Sequence, residues 1–149
     1  MVEITKFTKD YSMALTLMMA EFYDSDAVMH EVDSDNFEKT INMLIHGTPF
    51  QDCFVFVEDG RAVGYALIAI TYSNEAGGMV AWLDEFFIND DMRGKGIGKK
   101  FLEFMKGQYG EFGRFRLEVE DGNDKAEALY KMFGYQVMPY KQMYQELKK

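Results

Sequence analysis

Apolar and polar positions follow a helical period in the first third of the chain. Over residues 11–23 apolar side chains recur every three or four positions, and the same spacing returns after a capping residue at Asp33 or Ser34. This spacing predicts two helices, the second ending at Gly47. Residues 3–7, ahead of them, predict a short first strand.

The middle of the chain has the patterns of β-strands. Two β-rich runs, residues 53–57 and 63–73, are joined by the turn residues 58–61, which predicts a hairpin. A further strand is predicted over residues 80–88. Over residues 114–120 apolar and charged side chains alternate strictly, which predicts another strand with one buried face.

Helical spacing returns twice more towards the C-terminus. One amphipathic helix begins inside the glycine-rich residues 93–98, and another is predicted over residues 124–133 with Gly134 as its cap. Two short strands are predicted at residues 135–138 and 143–147. The order β-α-α-β-β-β-α-β-α-β-β predicts an α+β fold, an α/β sandwich around a mixed sheet.

Composition narrows the class of protein. The 149 residues predict one domain, residues 1–149, and 48% hydrophobic residues are enough to build one core. A net charge of −9 argues against nucleic acid as a partner, and no apolar run is long enough to predict a membrane span. Residues 1–6 do not have the layout of a secretion signal, and the single Cys53 predicts a reducing, cytoplasmic location.

Positive charge is concentrated in one short segment. Residues 91–106 carry five basic and two acidic side chains in an otherwise acidic chain. A local positive segment of this kind favours a small anionic ligand. The segment follows a strand and opens a helix, where free amides and the helix dipole also favour an anion.

Three nucleotide-binding patterns compete for residues 93–98. The P-loop pattern fails because its spacing and final Ser or Thr are absent, and the dinucleotide fingerprint fails because Lys99 stands where glycine is required. The third pattern, [RQ]-x-x-G-x-[GA], is matched at every fixed position by Arg93-Gly94-Lys95-Gly96-Ile97-Gly98. A glycine-rich turn before an amphipathic helix is the simpler alternative.

Flanking residues extend the match. The strand at residues 82–88 carries an acid followed by apolar residues, and about 25 residues downstream Asn123, Ala126, Leu129 and Tyr130 form a second block. Together these segments resemble the GNAT acetyltransferases. The resemblance implies a mixed, mostly antiparallel sheet of about six or seven strands, flanked by about four helices.

The resemblance also implies acetyl-coenzyme A as co-substrate, with its pantetheine arm between two strands that splay apart and its pyrophosphate on the glycine loop. Arg93 and Lys95 add charge at the edge of the loop or form only a solvated basic rim. The implied coenzyme-binding residues are Phe87, Ile88, Arg93, Gly94, Lys95, Gly96, Ile97, Gly98, Lys99, Asn123 and Tyr130.

Acetyl transfer to an amine requires a neutral amine, although an alkylamine with a pKa of about 10.4 is mostly protonated near neutral pH. In the family a tyrosine at the position of Tyr130 protonates the departing thiolate. Glu85, an acid in an apolar strand, is the favoured base, and Glu118, Glu120 or a water chain is the alternative. No spacing of residues predicts a metal site.

The acceptor remains open at this level. Acidic residues between positions 21 and 35 favour a cationic amine, either a small molecule or a peptide, although a solvated acidic loop is the simpler interpretation. Phe22, Tyr23 and Tyr72 are candidates to line an acceptor pocket. A non-catalytic acyl-coenzyme A binding module is the alternative function, and a homodimer is common in the family.

Overall fold

A computed structural model describes residues 1–25 and 32–147. In this part of the chain no helix is long and apolar enough to cross a membrane. Single 3-10 turns precede α1 and α3. The elements are β1 (Glu3–Lys6), α1 (Ser12–Tyr23), α2 (Ser34–His46), β2 (Gln51–Glu58), β3 (Arg61–Ser73), β4 (Gly78–Ile88), α3 (Ile97–Gln108), β5 (Arg114–Leu117) and α4 (Asp124–Met132).

One mixed sheet organises the described residues, with the strands in chain order from β1 to β5. The first four strands pair antiparallel, and β5 runs parallel to β4. The β2–β3 hairpin confirms the predicted turn, since Asp59 and Gly60 both have positive φ, 50° and 77°. Two consecutive residues with positive φ match the right-handed twist of the flanking strands.

Helices cover both faces of the sheet. On one face α3 buries Phe101 and Met105 against the apolar side chains of β2, β3 and β4. On the other face α1 and α2 bury Leu15 and Ile41 against Tyr65 and its neighbours. The predicted helix faces are confirmed with one exception: Ile45, assigned to the buried side of α2, is 42% exposed.

A β-bulge in β4 decides which side chains face which core. In the register with β3, Leu67 pairs with Glu85 while Ile68 pairs with Leu83, so Asp84 is an extra residue. Before the bulge, Leu83 packs into the α3 core. After it, Phe87 packs into the α1–α2 core. The bulge therefore reverses the alternation, and Glu85 faces the α1–α2 side.

The C-terminal strands are the main error of the sequence prediction. Residues 135–138 and 143–147 are described but form no strand, so the sheet has five strands and the order ends at α4. Side chains instead of a backbone ladder hold this segment: Tyr140 donates to Glu75 at 2.7 Å and Gln142 donates to Glu118 at 2.8 Å. No neighbouring strand pairs with this segment, and Met143 is 94% exposed.

Two glycines test the packing of the sheet. A side chain on Gly64 would meet the Phe87 carbonyl oxygen of β4 and stand 2.8 Å from the Phe56 ring. Gly64→Ala is therefore expected to destabilise the fold by about 1–3 kcal/mol. Gly107→Ala is the control, because this exposed helical position has open space and should gain about 0.5–1 kcal/mol.

Chemical denaturation of both variants measures these changes. A Gly64→Ala variant as stable as the wild type would contradict the close approach of β3 and β4.

Candidate active site

The parallel pairing of β4 and β5 stops halfway along β4. The last paired residues are Leu83 and Leu117, yet β4 continues to Ile88. Beyond this point the two strands separate, and an open cleft of about 1050 Å³ lies between the end of β4, the last turn of α1 and the loop at residues 120–123. The predicted strand over residues 114–120 is accordingly shorter, because it has no partner after Leu117.

The backbone at the end of β4 presents polar groups to this cleft. Asn89 N–H donates to the Val63 carbonyl of β3 at 2.8 Å, so odd-numbered residues of this stretch bond to β3. By alternation the N–H and C=O groups of Phe86 and Ile88 point to the side that β5 has left. Of the two strand residues predicted to bind coenzyme, Ile88 presents its backbone to the cleft. Phe87 pairs its backbone with β3 and lines the cleft with its side chain.

The glycine loop has the conformation of an anion site. Gly94 and Gly96 have φ of 75° and 81°, and a Cβ at either position would meet no atom within 4 Å. Gly96 caps α3, and the first amide to bond within the helix is that of Lys100, which donates to the Gly96 carbonyl at 3.0 Å. The amides of residues 97–99 therefore have no partner in the helix and are free to bind an anion.

The basic side chains of the loop differ in their contacts. Arg93 is fixed, since its Nε donates to the Ile88 carbonyl at 3.0 Å and its guanidinium lies 3.1 Å from Asp90. The ammonium group of Lys95 lies 3.7 Å from the sulfur of Met92 and near enough to Asp91 to help lower the pKa of that carboxyl group. Arg93 thus joins the loop to the end of β4, whereas the charge of Lys95 remains available to an anionic ligand.

The third glycine of the motif lies where α3 faces α4. A Cβ on Gly98 would stand 3.4 Å from Leu129 of α4, at the edge of ordinary van der Waals contact. Asn123 begins α4 and its side chain accepts from the Ala126 amide at 3.4 Å. Lys99 is exposed in the same helical turn as Gly98. Of the predicted coenzyme residues, Phe87, Ile88, Arg93 and Asn123 line the cleft, whereas Tyr130 lines a neighbouring groove.

Tyr130 lies on α4 and is half-buried against the α3 core. Its ring is 5.9 Å from that of Tyr135, and burial raises the pKa of its hydroxyl, so the group stays protonated near neutral pH. In the described part of the chain this hydroxyl has no hydrogen-bond partner.

Glu85 is the one buried charged residue of the described chain, at 7% exposure. Tyr65 donates to its Oε1 at 2.7 Å, and the Tyr23 hydroxyl donates to its Oε2. Burial raises the pKa of Glu85 above its ordinary value, and the two tyrosine hydrogen bonds oppose that shift only in part. The sequence predicted that this acid would face a cleft or a partner; its partners are two tyrosines.

The alternative bases are less enclosed. Asp84, at the bulge, is an exposed residue. Its pKa is raised, mainly by partial desolvation and to a smaller extent by repulsion from Glu118. Glu118 accepts from Gln142 and is therefore engaged. Glu120 lines the cleft with an exposed side chain.

The acceptor-side predictions have mixed outcomes. Phe22 lines the cleft, whereas Tyr72 is 66% exposed near the opposite end of β3, away from the cleft. Asp33 caps α2 by accepting from the backbone amide two residues on. Asp26 and Glu31 lie outside the described residues. Within the described residues no group of three or more His, Cys, Asp or Glu side chains is arranged to hold a metal ion.

Comparison with known proteins agrees with this geometry. A model of the acetyltransferase (GNAT) family matches residues 14–135. Spermine/spermidine N(1)-acetyltransferase of Bacillus subtilis (strain 168) is 34% identical over 83 residues, covering 52% of this chain and 55% of the relative. Thialysine N-epsilon-acetyltransferase of Sus scrofa is 36% identical over 74 residues, covering 48% and 43%. The chain thus spans about half the length of the curated relatives it matches.

A solved structure is similar over the whole chain. The crystal structure of a possible acetyltransferase from Clostridium difficile 630 superposes with a TM-score of 0.82 over 99% of both chains, at 18% identity, which shows a shared fold. Because the family model covers most of the sequence, the chain belongs to the acetyltransferase (GNAT) family. The resemblance inferred from Arg93–Gly98 is confirmed.

Replacing Glu85 tests the state of its carboxyl group. Since its pKa is raised from 4.5, the folded protein binds this proton more tightly than the unfolded chain. The stability that results is fully present below pH 4.5 and is lost as the pH rises through the raised pKa. The Tm of Glu85→Gln minus that of the wild type should therefore increase from about pH 4 to about pH 8, by on the order of a few degrees.

Scanning calorimetry across this pH range measures the difference. Glu103→Gln, on the exposed face of α3, is the control and should give a difference that does not follow pH. A Glu85→Gln difference equally independent of pH would show that burial leaves the pKa of Glu85 unshifted.

Proposed function

We propose that this protein transfers an acetyl group from acetyl-coenzyme A to a primary amine. The observation that carries the proposal is a cleft lined by the unpaired end of β4 and by Arg93, the residue at which the free-amide glycine loop begins. The loop suits a pyrophosphate, and the unpaired backbone suits an extended amide-containing arm. The family of the chain supports the same activity.

The donor side is assigned to the groups that the cleft presents. The amides of residues 97–99 and the ammonium group of Lys95 hold the phosphates, with Arg93 fixing the loop to β4. The backbone groups of Phe86 and the amide of Ile88 hold the arm, since the Ile88 carbonyl already accepts from Arg93. Acetyl-coenzyme A supplies the activated thioester, and the chain supplies position, charge and proton transfer.

Proton transfer falls to groups on opposite faces of the sheet. Glu85, on the α1–α2 side, has a raised pKa that suits it to accept a proton from the amine near neutral pH. Tyr130, on the α3–α4 side, keeps its proton near neutral pH and donates it to the departing thiolate. The gap between β4 and β5 separates the two, so acceptor and donor approach from different sides.

We assign the acceptor to the class of flexible alkylamines that carry a second cationic group. The relatives named above are polyamine and thialysine acetyltransferases. Here Glu120 and Asp121 line the cleft with exposed carboxylates, which attract a second positive charge. The chain's net charge of −9 adds to this attraction.

Tyr130→Phe tests the proposed function. The substitution removes only the Tyr130 hydroxyl, which has no hydrogen-bond partner among the described residues. Folding and coenzyme binding should therefore be retained. Turnover, measured as thiol release from acetyl-coenzyme A with spermidine and a panel of diamines, should fall about 100-fold because a general acid is lost.

Tyr135→Phe is the matched control, since its ring lies against Tyr130 and it should keep full turnover. Equal turnover in Tyr130→Phe and wild type would return Tyr130 to a packing role. A wild-type protein that binds acetyl-coenzyme A but acetylates no amine would contradict the enzymatic function and favour a coenzyme-binding module.

A further inference from the structure

The carboxylate of Glu85 cannot receive a proton from an amine directly. Its side chain is 7% exposed, and each of its two oxygens already accepts a tyrosine hydroxyl. Moving either hydroxyl aside would leave a buried phenol without its partner, which is costly. If Glu85 is the base, the proton must therefore reach it through one of the two tyrosines.

The two tyrosines differ in their access to the cleft. Tyr65 lies in the middle of β3 with an exposure of 0%. Tyr23 is half-buried and is the last residue of α1, between Phe22 and Ser25, both of which line the cleft. Only Tyr23 thus has both a bond to Glu85 and a partly exposed side chain, next in the chain to Phe22 of the cleft wall.

Aromatic packing holds Tyr23 in this position. Its ring stacks on Phe37 of α2 at 5.6 Å and meets the edge of Phe22 at 5.0 Å. A phenol held on two sides keeps its hydroxyl directed at Glu85 with little loss of conformational freedom on substrate binding. This is the geometry that a proton relay requires.

We propose that Tyr23 relays the proton of the acceptor amine to Glu85; the proposal rests on the acetyltransferase function proposed above. An N–H bond of the acceptor ammonium breaks first, and its proton passes to Tyr23 Oη while the original proton of Tyr23 moves to Glu85 Oε2. The neutral amine then attacks the acetyl carbon, so that the C–N bond forms and the C–S bond breaks. The sulfur takes the proton of Tyr130, and the second proton that the nitrogen loses restores Tyr130. Tyr23 and Tyr130 end neutral, and Glu85 ends protonated.

The pair Tyr23→Phe and Tyr65→Phe tests the relay, because each variant removes one hydroxyl bonded to Glu85. The measurement is kcat/KM against pH for an alkylamine whose pKa is about 10.4. In the wild type, ionised Glu85 accepts the proton, so the profile should level off well below the pKa of the amine. Tyr23→Phe should lose about 100-fold near neutral pH and then rise about tenfold per pH unit, because it requires amine that is already neutral.

Tyr65→Phe should keep the plateau. It loses a hydrogen bond that lowers the pKa of Glu85, so its acid limb should move to higher pH. Thermal unfolding of both variants shows whether either substitution destabilises the fold. The KM for acetyl-coenzyme A should be the same in both.

A Tyr23→Phe profile parallel to that of the wild type, whether lower or superimposed, would overturn the relay and leave the acetyltransferase function standing. A wild-type protein without thiol release on any amine would overturn both.

Discussion

The structure depends on the point at which β4 loses β5 as its partner. Pairing ends at Leu83 and Leu117, and the bulge at Asp84 follows immediately. A sheet that continued would satisfy the backbone of β4 internally and leave no room between the strands. Because it stops, polar backbone groups at the end of β4 remain free beside a large cleft, and the glycine loop and α3 begin where β4 ends. The unpaired backbone groups beside the cleft therefore result from the interrupted pairing of β4 with β5.

The same bulge determines which face of the sheet carries the Glu85 side chain. Without the extra residue, Glu85 would share a face with Leu83 and enter the α3 core, away from Tyr65 and Tyr23. With it, Glu85 meets Tyr65 and Tyr23 on the α1–α2 side. Tyr130 stays on the opposite side, on α4. Glu85 and Tyr130, the base and the acid of the proposed reaction, are thus on opposite faces of the sheet.

Features controlled by local sequence could be predicted. The helices, the hairpin turn at residues 58–61 and the glycine loop follow from periodicity and from positive φ at glycine, and all appear in the structure. Features that depend on distant partners could not. Strands were predicted over residues 135–138 and 143–147, but no strand lies beside them to pair with. Phe86 was missed because only the register with β3 shows which backbone groups are free, and the bond of Tyr23 to Glu85 joins residues 62 positions apart.

Hydrogen exchange in the presence of coenzyme A tests the central claim most directly, since that claim concerns named backbone amides. Binding should slow exchange at Phe86, at Ile88 and at residues 97–99, while the β2–β3 hairpin exchanges as before. Unchanged exchange at the end of β4 and in the loop would contradict the account. So would protection confined to the groove between β5 and residues 135–142, the other concave surface of the described chain near Tyr130.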